Sequence, residues 1–289
     1  MLPSAKLRCA SYRRDAGGGG VNVARVVRRF GGDVEAIVTI GGFTGHLLRS
    51  LIEKEGIAAR YIEVAAETRE NFSVNERTTA KQFRFVLPGE PLRESEWKRC
   101  LDALAATAPA IVVASGSLPP GVPKDFYAQA ATAAHKAGAK FFLDTSGQPL
   151  KAAVEAGVDL IKPNLREMCE LTGGQLDSDA ARVAAARRLI GASNAKIVAL
   201  SLGHLGALLV TGDQALRAQA LPVKTVNSVG AGDSFLGALV YSLAKNEPIV
   251  DAFRLAVAAG SAALIHEGTE LSRPAEVARL APQVVIAAA

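Results

Sequence analysis

Between Ile111 and Val210 the chain alternates short apolar runs with alanine-rich amphipathic stretches, and few folds accept that pattern. Ile111 to Ala114, Phe141 to Leu143, Leu160 to Ile161, Ile197 to Leu202 and Ala207 to Val210 read as buried strands. Phe126 to Ala137 and Ala180 to Ile190 read as helices. The alternation predicts a mostly parallel sheet with helices on both faces. Ligands in such sheets sit beyond the carboxyl ends of the strands. The 289 residues suffice for one large α/β domain or two small ones. With 49% hydrophobic and only 5% aromatic residues, the core should be rich in alanine and valine.

Val229-Gly230-Ala231-Gly232-Asp233-Ser234-Phe235 is the most informative short stretch. Phe235, Leu236, Leu239, Val240 and Leu243 recur at helical spacing, so Gly230 to Asp233 should form a helix's first turn. Unpaired N–H groups and a partial positive charge at a helix start suit a phosphate. Asp233 stands where a carboxylate could take a proton from an attacking hydroxyl. The motif therefore suits phosphoryl transfer to an alcohol. It equally suits a Gly-rich turn with an Asp near an N-cap, and these residues alone leave both readings open.

A second Gly-rich stretch, Gly17-Gly18-Gly19-Gly20-Val21-Asn22-Val23-Ala24, leads into a helix through Val27 and Phe30 that ends at Gly31-Gly32. A dinucleotide fingerprint should follow a buried strand. Here it follows Ser11-Tyr12-Arg13-Arg14-Asp15, which argues against an oxidoreductase. No Walker A motif occurs, which excludes P-loop chemistry. The loop still suits an anion or a sugar, with the Asn22 amide offered to ligand hydroxyls or spent on helix capping.

Thr68 to Phe85 departs from the helix–strand pattern. Phe72, Val74, Phe83 and Phe85 alternate with polar residues around a turn-like Asn75 to Lys81. This predicts a hairpin with one wet face. Leu7 to Tyr12 has a similar mixed character, and together they would form a β lid over the cleft, the alternative being a plain surface hairpin. The net charge of +5 comes from scattered arginines not interleaved with aromatics, and small anionic substrates explain it as well as nucleic acid would. Cys9, Cys100 and Cys169 share no C-x-x-C spacing, so a reducing cytoplasm is expected. No apolar run reaches transmembrane length, and the start lacks a signal-peptide stretch.

Taken in order, Gly17 to Phe43 closed by Gly41-Gly42-Phe43-Thr44-Gly45, then Ser115-Gly116-Ser117-Leu118-Pro119-Pro120-Gly121, then Lys162-Pro163-Asn164-Leu165-Arg166-Glu167, then Asn227 to Phe235 resemble the PfkB family of ribokinase-like sugar kinases. The first and last resemble its N- and C-terminal signatures, and the likeness spans nearly the whole chain. Within the family it is nearest to the phosphosugar kinases, most of all the minor bacterial 6-phosphofructokinase branch. Lys6-Leu7-Arg8-Cys9 and the four-glycine run carry that detail. Relatives acting on fructose 1-phosphate or tagatose 6-phosphate generally have a lysine within the run, and Gly19 and Gly20 leave none.

The resemblance implies a three-layer α/β/α ribokinase-like fold with a small β lid, the core spanning 17–66 and 94–289 and the lid 1–16 and 67–93. It implies ATP-dependent phosphorylation of a phosphosugar, with fructose 6-phosphate to fructose 1,6-bisphosphate leading and tagatose 6-phosphate or fructose 1-phosphate as alternatives. Asp233 would be the base, and on the turn that Gly230 opens the N–H groups of Ala231, Gly232 and Asp233 would hold the charge on the moving phosphoryl group. Arg69 and Arg84, assisted by Lys6, would hold the sugar's phosphate, and Gly18, Asn22 and Ser117 would line the sugar pocket. Lys162 would reach the nucleotide phosphates, with Ser201, Gly203 and Gly206 on the adenine side. Asn164 and Glu167 would organise Mg²⁺, largely through water, although Glu167 alone reads as an exposed helix start. A potassium site is implied near Asn227, Val229, Ala263 and Gly268, with His266 standing where an amide often lies. Relatives often dimerise through the lid, and the apolar face of its hairpin could serve.

The family's first buried strand, with an Asp that binds sugar hydroxyls, has no counterpart ahead of Lys6-Leu7-Arg8-Cys9. Neither Asp15 nor Asp33 sits at the matching position. The expectation is a longer natural protein. The alternative is a catalytically impaired form that binds sugar or nucleotide without turnover.

Overall fold

The computed structural model describes residues 6–76, 78–79, 81–192, 195–266 and 270–289. Its first half holds α1 (Gly19–Arg29), β1 (Glu35–Ile40), α2 (Gly42–Lys54), β2 (Ala58–Glu63), β3 (Phe72–Glu76), β4 (Lys81–Phe85), α3 (Glu94–Ala105), β5 (Ile111–Ser115), α4 (Phe126–Lys136) and β6 (Lys140–Asp144). The second half continues with α5 (Gly147–Ala156), β7 (Leu160–Ile161), α6 (Leu165–Thr172), α7 (Asp179–Gly191), β8 (Ile197–Ser201), β9 (Ala207–Val210), β10 (Ala215–Ala218), α8 (Ala231–Ala244), α9 (Ile249–Ala263), α10 (Pro274–Leu280) and β11 (Ile286–Ala288).

A seven-stranded sheet runs β11-β10-β9-β8-β7-β6-β5. Side chains alternate across it, as a pleated sheet requires. Phe142, Leu160, Ala199 and Leu209 pack with α1, α8 and α9. Phe141, Leu143, Ile161, Val198, Leu200 and Leu208 pack with α4, α5 and α7. The result is the three-layer α/β/α arrangement expected from the alternating runs. Parallel pairing holds from β5 through β8, while β8 to β11 pair antiparallel. The connection from β8 to β9 is five residues long, too short for a crossover helix, so the chain has to turn back as a hairpin.

The lid consists of β3 and β4, an antiparallel hairpin in which Phe72 and Phe85 face each other and stack at 4.7 Å. The strand expected over Leu7 to Tyr12 does not form. Residues 6–18 have no helix or strand, and Tyr12 is exposed, so these side chains lack the packing that would hold them extended.

β1 and β2 pair with each other as a separate parallel sheet. Helix α1 packs against both β1 and β5, yet among the described residues the two strands do not pair. Between them runs a trench lined by Ile37, Val38 and Thr39 on one side and Val112, Val113 and Ala114 on the other. All five residues of β5 are only half-buried, although four are apolar.

Candidate active site

The trench is part of one continuous cavity of about 1980 Å³ that extends to the carboxyl ends of the strands. Gly18, Asn22, Arg69, Arg84, Ser117, Glu167, Gly230, Gly232 and Asp233 all line it, so residues far apart in sequence meet there. Lys6 is exposed, and the lining begins one residue later at Leu7.

Gly230 caps α8 with φ +80°, a left-handed conformation in which a side chain is strained. A Cβ there would also lie 2.6 Å from Leu271 Cδ2. The turn that follows sets Ala231, Gly232 and Asp233 as the first residues of α8; the Ala231 N–H makes a long 3.4 Å contact to Ser228 O, and those of Gly232 and Asp233 lack helical partners. Lys162 reaches the turn from the end of β7, its Nζ 3.3 Å from where a Cβ on Gly232 would lie. Its ammonium is buried and sits 3.0 Å from Asp144 Oδ2.

Asp233 accepts a hydrogen bond from Asn22 Nδ2 at 2.8 Å. Burial pushes its carboxyl above the usual carboxylate range, and the negative charge of Asp144 adds to the rise. Asn22's donation and the charges of Lys162 and Arg84 work against it. A carboxyl moved upward in this way is a stronger proton acceptor than a solvated one. Asn22 does not cap α1, whose N-cap is Gly18; its Oδ1 accepts from Arg25 and one of its two Nδ2 hydrogens goes to Asp233.

Asn164 and Glu167 form a reciprocal capping box at α6. Asn164 Oδ1 accepts from the Glu167 N–H, and Glu167 Oε2 accepts from the Asn164 N–H, both at 2.9 Å. Both residues are half-buried, so Glu167 is more than an exposed helix start. The motif's local job is thus structural, and it leaves Glu167 Oε1 and the Asn164 NH₂ for other use. Ser201 bridges Asn164, and Gly203 and Gly206 frame the short loop that follows. This loop borders the capping box and stays outside the cavity lining. Among the described residues no group of three or more His, Cys, Asp or Glu side chains could hold a metal ion unaided. The donor set fits a hard cation that takes most of its ligands from water and phosphate.

The loop bearing Asn227 and Val229 is stitched to the end of α9. The N–H groups of Val226 and Asn227 donate to Leu264 O, next to Ala263, and the Val229 N–H donates to Asn227 Oδ1. Gly268 lies outside the described residues. His266 turns to Glu276, 2.6 Å away.

Asp144 escaped the sequence reading. Its signal was its place at the end of the apolar run Phe141-Phe142-Leu143, where α/β sheets present ligand groups. Arg25 also escaped, as the one charged residue in the buried stretch Val21–Val27.

The sequence profile of pfkB family carbohydrate kinases matches residues 2–276. The chain belongs to that family. ATP-dependent 6-phosphofructokinase isozyme 2 of Mycobacterium tuberculosis is 43% identical over 281 residues, covering 96% of this chain and 83% of that protein. A 1-phosphofructokinase of Xanthomonas campestris is 38% identical over 249 residues, covering 84% of this chain and 78% of that protein. Crystal structures of phosphofructokinase-2 from Escherichia coli, in complex with potassium and with fructose-6-phosphate, match with TM-scores of 0.93 and 0.92. Their identities are 37% and 36%, and each match covers 98% of this chain and 92% of the other. As a pfkB kinase the chain is a phosphotransferase. No helix among the described residues is long and apolar enough to cross a membrane.

Proposed function

We propose that this kinase transfers the γ-phosphoryl group of ATP to the primary hydroxyl of fructose 6-phosphate, forming fructose 1,6-bisphosphate. One observation carries the reading. Asp233, with its proton affinity raised, shares a single cavity with the α8 anion turn and with the lid arginine Arg84. Asp233 takes the hydroxyl proton as that oxygen bonds to phosphorus and the bond to the ADP oxygen breaks. The N–H groups of Ala231, Gly232 and Asp233, with Lys162, stabilise the charge on the moving group. Gly18 and Ser117 border the sugar, and Ser201, Gly203 and Gly206 the adenine. Mg²⁺, on the Asn164 and Glu167 side, neutralises phosphate charge when bound, and the Asn227, Val229 and Ala263 carbonyls suit a monovalent ion.

Arg84 and Arg69, with Lys6, hold the sugar's existing phosphate. Arg84→Ala is expected to raise KM for fructose 6-phosphate by about 10–10²-fold, the worth of one charge-assisted hydrogen bond. KM for ATP should stay unchanged. An unaltered sugar KM would remove Arg84 from phosphate binding. The exposed Phe72 and Phe85 support a homodimer through the lid, which sedimentation velocity tests.

ADP release with MgATP, compared across fructose 6-phosphate, fructose 1-phosphate, tagatose 6-phosphate and fructose, tests the substrate. Preference for another phosphosugar would overturn the choice of fructose 6-phosphate and keep the kinase. The open β1–β5 trench favours a second reading, a protein that binds sugar phosphate or nucleotide without turnover. Binding by calorimetry with no ADP release would support it. Repeating the assay with a strand-forming segment fused before residue 1 would show whether filling the trench restores turnover.

A further inference from the structure

Arg25 is the most buried charge on α1, with 3% of its surface exposed, and each of its three guanidinium nitrogens has a partner. Nε and Nη2 bond Glu55 Oε1 at 2.7 and 2.6 Å, while Nη1 donates to Ala16 O at 3.0 Å and to Asn22 Oδ1 at 3.2 Å. Asn22 and Arg25 are three residues apart on one helix face. Arginine only donates and an ionised carboxylate only accepts. With Arg25 on one side and Asp233 on the other, the Asn22 amide has one permitted orientation, Oδ1 to Arg25 and Nδ2 to Asp233.

Glu55, just past the end of α2, anchors a second arm. Its other oxygen lies 3.4 Å from Arg29 Nη2, and Arg29 Nη1 donates to Leu271 O at 3.0 Å. Leu271 is the side chain against which Gly230 packs, and the next residue, Ser272, donates its N–H to Ser234 Oγ in the first turn of α8. One carboxylate outside the cavity therefore braces both the candidate base and the anion turn.

We infer that Glu55, acting through Arg25 and Asn22, is a positioning residue that orients the Asp233 carboxylate and leaves its second oxygen for the sugar hydroxyl. This rests on Asp233 being the base. The charged groups felt at Asp233 are Asp144 from β6, Lys162 from the end of β7 and Arg84 from β4, and Asn22 from α1 is its hydrogen-bond donor. Glu55 acts on the last of these alone.

Glu55→Gln tests the inference through kinetics and through the titration of Asp233, followed by carboxyl ¹³C NMR of the ligand-free protein. The expected result is a fall in kcat of about 10–10²-fold, the scale of a small misplacement of a reacting group, with both KM values unchanged. The Asp233 titration and the acid limb of the kcat profile should both move to higher pH, because a lost Asn22 donation no longer favours the ionised form. In an Asn22→Ala background Glu55→Gln should cost nothing further in kcat. A lower Tm with kcat, acid limb and NMR titration unmoved would overturn the inference and leave Glu55 a structural ion pair. If Glu55→Gln does not fold, Arg25→Lys, which keeps the charge and loses the fork, is read on the same quantities. The NMR titration needs no turnover, so a moved Asp233 in an enzyme inactive on every sugar would sink the kinase reading and keep the brace.

Discussion

Exchange of Asp233 for Asn is expected to lower kcat by about 10²–10⁴-fold and at the same time to raise the melting temperature. The kinetic loss follows from removing the proton acceptor. The stability gain follows from the direction of its pKa. Burial first, and Asp144 second, raise the Asp233 carboxyl above its ordinary value. A raised carboxyl adds stability below its unfolded pKa, and that contribution disappears as pH climbs through the folded value. At neutral pH the ionised group therefore costs stability, and Asn, neutral throughout, removes the cost. A chain of this size gains about 2 °C for each kcal/mol relieved. The Tm difference should shrink as pH falls into the carboxylate range, where the wild-type group is itself protonated. A variant less stable than wild type at neutral pH would contradict the assigned direction, and an unchanged kcat would remove Asp233 from the chemistry.

Loss of Lys162 should affect both rate and stability. The ammonium is buried between Asp144, 3.0 Å away, and the Gly232 turn. Lys162→Met leaves the Asp144 charge without its partner, at a cost of about 3 kcal/mol, the low end for a broken buried pair, because Asp144 keeps some solvent access. It also removes positive charge where the phosphoryl group would pass, worth about 10²–10³ in kcat. Since Lys162 lowers the Asp233 pKa, the acid limb of the rate profile should move to higher pH. The double variant Lys162→Met with Asp144→Asn should recover most of the stability, while the rate stays low. Guanidinium unfolding and pH–rate profiles on the three proteins decide this. A single variant as stable as wild type would mean the pair contributes nothing to the fold.

The sheet strands from β5 to β9 were legible because each is a short apolar run, bounded by polar or glycine residues except at the start of β5, where Pro109 and Ala110 precede it. The start of α8 was legible because Gly230 and Gly232 flank Ala231 directly before a helical apolar pattern. The lid hairpin declared itself by alternation, whereas Leu7 to Tyr12 shows the same mixed character and remains irregular. Local patterning states which residues could pair and says nothing about whether a partner edge is in reach. The antiparallel half of the sheet was hidden for a similar reason. Ala207 to Val210 is equally apolar in either direction, and the short link after Ser201 decides the direction.

By itself, the sequence determined the layered α/β class and the two glycine turns. Those depend on local periodicity and on residue types that few conformations other than turns require. Only the tertiary structure decided that Asn22 serves Asp233, that Lys162 pairs with Asp144, and that Glu55 braces both sides of the site. It also decided that β1 and β5 stand apart across a trench. Each of these depends on distances between groups remote along the chain, and ion pairs and hydrogen bonds between such groups carry no sequence period that could announce them.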